Sequence, residues 1–117
     1  MEKLSVVIAT RNEEENIGRC LDSVKEIAGE IVVIDEYSTD KTVEIAKKYG
    51  AKIFLEPHHD NFHITKQIAL EKATGDWILQ LDADEVVTPE LSEEIVSTIH
   101  GSPPTVHNKL FKRHQKL

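Results

Sequence analysis

Two clusters of acidic residues stand directly after apolar runs in this sequence. Asp82-Ala83-Asp84 follows the run 77–81, and Asp35-Glu36 follows the run 31–34. Carboxylates that lie close together repel one another, so gathering them in a folded protein requires a cation or hydrogen-bond donors. Because oxygen ligands without His or Cys suit hard divalent cations, the pattern predicts Mg²⁺ or Mn²⁺ holding a phosphate-bearing ligand.

Short apolar runs alternate with helical patterns along the chain. The runs predict strands at residues 4–9, 31–34, 52–55 and 77–81. Four helices are predicted between and after them: one capped by Asn12, one capped by Ser38 or Thr39, one over residues 62–73, and one capped by Thr88. This order predicts an α/β, Rossmann-like fold with a mainly parallel sheet of about four strands and helices on both faces. Such folds bind ligands at the carboxyl ends of their strands, so the two acidic clusters are expected to lie together.

The charge of the sequence is unevenly distributed. The 117 residues hold 21 Asp and Glu against 14 Lys and Arg, and the acidic residues all lie before residue 101. The last 17 residues carry four basic residues and no acidic one. We therefore predict a domain over residues 1–101 and a basic tail over 102–117. The tail is interpreted as truncated or disordered, with contact to an anionic membrane surface as the second interpretation. Because the acidic body repels nucleic acid, no nucleic-acid partner is expected.

Cysteine and histidine add little to this interpretation. Cys20 is the single cysteine, which excludes an intrachain disulfide framework and favours a cytoplasmic location. If the basic tail contacts a membrane, the expected place is the inner face of the cytoplasmic membrane. The place of Cys20 on the apolar stripe of the first helix predicts core packing. The histidines near residue 60 could suggest zinc, but no cysteine or second ligand pair accompanies them, so a solvated loop is favoured for His58, His59, Asp60 and His63.

Three segments, at residues 5–14, 34–42 and 73–85, resemble those of family 2 glycosyltransferases with the GT-A fold. They read SVVIATRNEE, IDEYSTDKT and ATGDWILQLDADE. The order and spacing of the three make the resemblance specific, and it covers roughly residues 3–99. It is closest to bacterial enzymes of lipopolysaccharide-core and related cell-envelope glycan assembly. The resemblance implies the nucleotide-binding half of a GT-A domain.

The resemblance also implies roles for the residues of the first two segments. Thr10, Arg11 and Glu13 match the part of the family that lines the nucleoside pocket. Asp35 and Glu36 match an acidic pair of which one carboxylate accepts a hydrogen bond from the base. A carboxylate is an acceptor only, and the imide N–H of uracil is a donor, so a UDP-sugar is the favoured donor.

The resemblance implies that both basic and acidic side chains lie at the diphosphate side of the site. Lys66 matches a basic residue near the ribose or pyrophosphate. Asp82 and Asp84 match the DxD motif, in which the first residue faces the ribose and the last reaches a metal that bridges the phosphates. Mg²⁺ or Mn²⁺ is therefore the expected cofactor, and a glycan or lipid-linked molecule the expected acceptor.

The sequence departs from the family pattern in ways that keep alternatives open. Glu36-Tyr37 stands where Asp-Gly is common, and Gln67 stands where Asn is frequent. Residues 100–117 hold no Asp or Glu, so the general base of a transferase is not found in this chain and little activity is expected of the chain alone. The first alternative is a non-catalytic nucleotide-sugar-binding or assembly module, and a homo-oligomer is also considered. A nucleotidyltransferase is weaker because its Gly-rich phosphate loop is lacking.

Overall fold

The computed structural model describes residues 2–58, 62–101 and 109–112. Along these residues the elements are β1 (Leu4–Thr10), α1 (Ile17–Asp22), β2 (Glu30–Asp35), α2 (Thr42–Lys48), β3 (Lys52–Leu55), α3 (Phe62–Lys72), β4 (Trp77–Asp82), α4 (Pro89–Ile99) and β5 (Leu110–Lys112). The sheet has the order β3-β2-β1-β4-β5. The first four strands pair in parallel, and β5 runs antiparallel to β4. The predicted α/β fold with a mainly parallel sheet is confirmed.

Helices cover both faces of the sheet because successive strand residues point to opposite sides. Val6 and Ile8 of β1 belong to a buried cluster with residues of α1, α2 and α4. Val7 belongs to a second cluster on the other face, with Ala69 of α3 and Ala73, which follows α3. β1 and β2 are buried along their whole length, and each large apolar side chain that is fully buried stabilises the fold by roughly 1.5–3 kcal/mol.

The fifth strand lies within the basic tail and was not predicted. β5 has three residues, too few for an alternating pattern to be recognised in the sequence. Its Phe111 pairs with Ile78, and the carbonyl of Lys109 accepts a hydrogen bond from the amide of Gln80 at 2.9 Å. The edge of β4 offers unpaired backbone groups, which explains why so short a segment joins the sheet. The rest of the predicted tail lies outside the described residues, and the boundary at residue 101 stays a prediction.

The first helix begins later than its sequence indicates. Asn12 was predicted as its N-cap, but α1 begins at Ile17, after turns over residues 14–16. Asn12 has a left-handed backbone, with φ of 52°. Its amide donates to Ser38 Oγ, and its Oδ1 accepts from the amide of Thr39, both at 2.8 Å. The side chain therefore joins two loops at the edge of the sheet instead of capping a helix.

The prediction of the N-cap of the second helix was also wrong by a few residues. Ser38 or Thr39 was predicted, whereas α2 begins at Thr42. Asp40 takes the capping role locally, since its Oδ1 accepts from the amide of Thr42 at 2.9 Å. The cap of α4 is confirmed, because Thr88 Oγ1 accepts from the amide of Leu91 at 3.2 Å. No helix among the described residues is long and apolar enough to cross a membrane.

A buried carboxylate holds the strands together at the other end of the sheet, where the parallel strands begin. Glu30, at the start of β2, accepts hydrogen bonds from Ser5 Oγ at 2.6 Å and from the amide and hydroxyl of Thr74, each at 2.9 Å. Lys52 Nζ lies 2.7 Å from its Oε2. Burial alone raises the pKa of this carboxyl, but these donors outweigh burial and lower the pKa to about 2. This end of the sheet is thus structural and lies away from the acidic clusters.

Candidate functional site

A cleft of about 380 Å³ opens at the carboxyl ends of the central strands. It lies where β1 has β2 on one side and β4 on the other, which is the reversal point where α/β folds bind ligands. Seven of the eight predicted site residues line it, namely Thr10, Arg11, Glu13, Glu36, Lys66, Asp82 and Asp84. Asp35 does not line it. Ala9, Ala83 and His58 complete the lining.

The loop after β1 is shaped by hydrogen bonds to the loop after β2. The amide of Glu13 donates to Thr42 Oγ1 at 2.8 Å, and Glu13 Oε1 accepts from Asn16 Nδ2 at 2.9 Å. Arg11 is exposed. Thr10 Oγ1 is buried and has no hydrogen-bond partner among the described residues. A buried hydroxyl without a partner is costly, so this atom is suited to a polar group that enters the cleft.

Asp35 is fully buried and organises the turn that follows β2. Its Oδ2 accepts from the amide of Ser38 at 2.7 Å, and its Oδ1 accepts from Ser38 Oγ at 2.6 Å. Tyr37, inside this turn, has a φ of 53°. A left-handed backbone favours glycine, which is the residue common at this position in the resembling family. Tyr37 thus adopts a backbone conformation that is more costly for tyrosine than for glycine.

Glu36 lines the cleft but exposes only 1% of its surface. Its Oε2 accepts a short hydrogen bond from Thr65 Oγ1 of α3. Its Oε1 lies 2.6 Å from Nδ1 of His58, a residue that is more than half exposed. Both carboxylate oxygens thus have partners within the protein, and one of those partners faces the cleft.

The DxD segment lies beside two lysines. Asp82 Oδ1 lies 3.0 Å from Lys66 Nζ, and Asp82 Oδ2 lies 3.5 Å from Lys109 Nζ. Burial raises the pKa of Asp82, but the hydrogen bond from Lys66 and the charges of both lysines outweigh it and lower the pKa below its usual range. Lys109 also contacts Glu85. Asp82 is therefore ionised, and its charge is partly neutralised by the protein.

Asp84 differs from Asp82 in its surroundings. Its side chain is exposed and makes no hydrogen bond or ion pair with the residues that the structure describes. Behind it, Cys20 Sγ lies 3.6 Å from the carbonyl oxygen of Asp82, and burial, followed by the nearby acidic charges, raises the pKa of the Cys20 thiol to about 12. The thiol is thus inert core, as predicted, and Asp84 remains available to a cation.

The donor atoms of the cleft fit a hard divalent cation that also binds phosphate. Asp82 and Asp84 supply carboxylate oxygens, but within the described ranges no three His, Cys, Asp or Glu side chains form a metal-holding cluster. A cation held by two carboxylates needs further oxygen ligands, and Mg²⁺ commonly takes these from substrate phosphates and water. Of the residues for which a solvated loop was favoured over zinc, His58 and His63 are described, and His59 and Asp60 lie outside the described residues.

Two residues of the site were missed from the sequence. His58 was assigned to a solvated loop, and Lys109 to the tail, yet both have side chains beside predicted site residues. His58 lies only three residues beyond β3, at the same edge as the acidic clusters, and that position was a usable signal. No comparable signal marks Lys109, because its place depends on β5 pairing with β4.

The sequence model of glycosyl transferase family 2 matches residues 5–108 of this chain. The chain therefore belongs to glycosyl transferase family 2, in agreement with the resemblance of its three segments. A curated relative, an uncharacterized glycosyltransferase of Rickettsia typhi, is 44% identical over 95 residues. The match covers 81% of this chain and 32% of that protein, so the chain spans about one third of the relative's length.

Solved structures share the fold. S. aureus TarS gives a TM-score of 0.68 at 28% identity, covering 84% of this chain and 32% of that one. Glucosyl-3-phosphoglycerate synthase from Mycobacterium tuberculosis in complex with UDP gives 0.70 at 25% identity, covering 86% and 41%. The same enzyme in complex with Mn²⁺, UDP and phosphoglyceric acid gives 0.70 at 24% identity, covering 86% and 40%, which shows the fold alone.

Proposed function

We propose that this chain is the donor-binding part of a glycosyltransferase, which binds a nucleoside-diphosphate sugar together with Mn²⁺ or Mg²⁺. The observation that carries the proposal is a cleft at the strand reversal point that gathers the DxD carboxylates and basic side chains. Membership of glycosyl transferase family 2 and the UDP complex of a structural neighbour support the same function. A UDP-sugar is the donor we favour.

The arrangement of the cleft suggests how such a donor would lie. The carboxylates of the DxD motif stand at the end of β4, and Glu36 stands two strands away at the end of β2. Neighbouring strands lie about 4.8 Å apart, so roughly 10 Å separate the two sides. That is room for a nucleoside whose diphosphate lies at the DxD side, whose ribose lies near Thr10 and Arg11, and whose base lies near Glu36.

Asp84 is the residue we propose as the main metal ligand, with Asp82 beside it. A divalent metal there would act as a Lewis acid that stabilises the departing diphosphate. Lys66 adds positive charge near the ribose or the diphosphate, because an ammonium group donates charge-assisted hydrogen bonds to phosphate oxygens.

Calorimetric titration of UDP, with and without MnCl₂, tests the proposal on the wild type and Asp84→Asn. We expect Mn²⁺ to strengthen UDP binding in the wild type, and Asp84→Asn to remove about tenfold or more of that gain, or about 1.4 kcal/mol. Asp22→Asn is the matched control, since Asp22 is exposed on α1 outside the cleft and pairs with Lys25. Equal affinity in every titration would refute the proposal.

The proposal extends to the acceptor and the location. We propose a cell-envelope glycan or lipid acceptor and a cytoplasmic site of action, with the basic residues of the tail as a contact to the inner face of the membrane. Transfer from a labelled UDP-sugar to envelope-lipid acceptors by this chain, as a monomer and as a dimer, tests this. Donor binding without turnover by either would favour a non-catalytic nucleotide-sugar-binding module.

A further inference from the structure

His58 is the one residue lining the cleft whose ring is bound to a buried carboxylate, among the residues that the structure describes. We propose that His58 is the residue that contacts the base of the donor, and that Glu36 acts through it. This inference rests on the proposed function, because it names the group that selects the nucleotide within the same cleft.

The hydrogen bonds of Glu36 place it behind His58. Glu36 exposes 1% of its surface, and its two oxygens are engaged by Thr65 Oγ1 and by Nδ1 of His58. A hydroxyl donates its single proton to one acceptor, so the Thr65 hydrogen is used at Oε2. At 2.6 Å the contact between Oε1 and Nδ1 is a hydrogen bond, and a carboxylate can only accept. The roles of the two atoms depend on the tautomer of the ring, and with Glu36 ionised it is Nδ1 of His58 that carries the hydrogen.

The contact with Glu36 engages Nδ1, so Nε2 is the ring nitrogen that we assign to the ligand. When Nδ1 carries the hydrogen of a neutral imidazole, Nε2 is an acceptor. The side chain of His58 is 53% exposed, whereas that of Glu36 is 1% exposed, so a ligand in the cleft reaches the ring more readily than the carboxylate. Glu36 positions the ring, and the ring presents an acceptor to the cleft.

The position of His58 matches the base rather than the phosphates. It follows β3, and its partner Glu36 follows β2, on the far side of β1 from the DxD motif. A diphosphate held at Asp84 directs the nucleoside toward β2 and β3. An acceptor at this end matches the imide N–H of uracil or thymine. Cytosine has no hydrogen at the equivalent ring nitrogen, so the site selects uridine or thymidine diphosphates over CDP.

Titrations of UDP and CDP in the presence of MnCl₂ test the assignment on the wild type, His58→Asn and His100→Asn. The wild type should bind UDP about tenfold more tightly than CDP, as expected for one hydrogen bond with good geometry. Asparagine keeps an amide near the Nδ1 position but does not reach as far as Nε2. We therefore expect His58→Asn to bind UDP and CDP equally while keeping its dependence on Mn²⁺. His100→Asn is the matched control at the exposed end of α4.

The outcomes separate this inference from the function on which it rests. If the wild type binds neither nucleotide, the proposed function fails and the role of His58 fails with it. If the wild type binds UDP with Mn²⁺ but His58→Asn keeps the full preference over CDP, the proposed function stands and the role of His58 is refuted.

Imidazole ¹⁵N shifts of the ligand-free protein give a second readout that needs no nucleotide. The acceptor role requires one protonated nitrogen, at Nδ1, and an unprotonated Nε2 in His58. A proton at Nε2, whether alone or together with Nδ1, would overturn the acceptor role.

Discussion

Replacing Glu30 by glutamine should lower the free energy of unfolding by an amount that depends on pH. Glu30 holds the start of β2 to Ser5, Thr74 and Lys52, and its pKa is about 2 against an ordinary value of 4.5. Because each pKa unit corresponds to about 1.4 kcal/mol, a difference of this size represents about 3 kcal/mol of stability.

The direction of the pH dependence follows from the lowered pKa. The folded protein holds the ionised carboxylate more favourably than the unfolded chain does, so the contribution is complete above about pH 4.5. As the pH falls toward 2, the unfolded chain takes up the proton first and the contribution of Glu30 is lost. Glu30→Gln has no such carboxylate, and its stability should converge on that of the wild type over this range.

Urea unfolding at several pH values between 7 and 2.5 measures this effect. We expect Glu30→Gln to be less stable than the wild type by about 2–3 kcal/mol at pH 7 and by a small fraction of that at pH 2.5. Glu26→Gln, an exposed glutamate on the connection before β2, is the control and should differ little from the wild type. A difference for Glu30→Gln that stays constant with pH would refute the argument, because the loss would then come from packing and not from charge.

Two further predictions concern the DxD edge and the opposite edge of the sheet. Lys109→Gln should raise the affinity for Mn²⁺ alone by about three- to tenfold, since it removes an ammonium group that competes for the Asp82 carboxylate. A titration that shows unchanged or weaker Mn²⁺ binding would contradict this. Gly75→Ala should lower the free energy of unfolding, measured in urea, by about 1–3 kcal/mol, because a Cβ there would lie 2.7 Å from the carbonyl oxygen of Lys3. Gly18→Ala in α1 is the control, since its Cβ would meet only an ordinary contact at 3.7 Å and should not lower the stability measurably.

The strands and their order of succession could be predicted because burial on both faces leaves a clear trace in the sequence. Val6 and Val7 point to opposite faces, and both must be apolar when helices cover each face. The strand ends then brought the two acidic clusters to one edge. Seven of the eight predicted residues line one cleft for this reason, although their roles in binding stay predictions.

The helix starts and the short strand depended on interactions that no local pattern reveals. Asparagine is a residue type that commonly caps helix N-termini. The side chain of Asn12 instead accepts a hydrogen bond from the amide of Thr39, 27 residues away. β5 forms because β4 offers an edge, and Lys109 reaches the DxD motif only through that pairing. In the sequence His58 is indistinguishable from an ordinary loop residue, and only the structure shows its contact with Glu36. Each of these features is decided by a partner distant in sequence.

The two sides of the cleft, which we propose to hold the nucleoside and the diphosphate, are built on different physical principles. On the nucleoside side, hydrogen bonds within the protein fix the loops after β1 and β2, through Asn12, Asp35 and Glu36. A loop that is already ordered loses little conformational entropy when a ligand binds, so this side favours selectivity. On the diphosphate side, the exposed Asp84 stands beside lysine-paired Asp82, and affinity there must come from a cation and the ligand's own charge. Changes at His58 should therefore alter which nucleotide binds, and changes at Asp84 should alter how strongly any nucleotide binds.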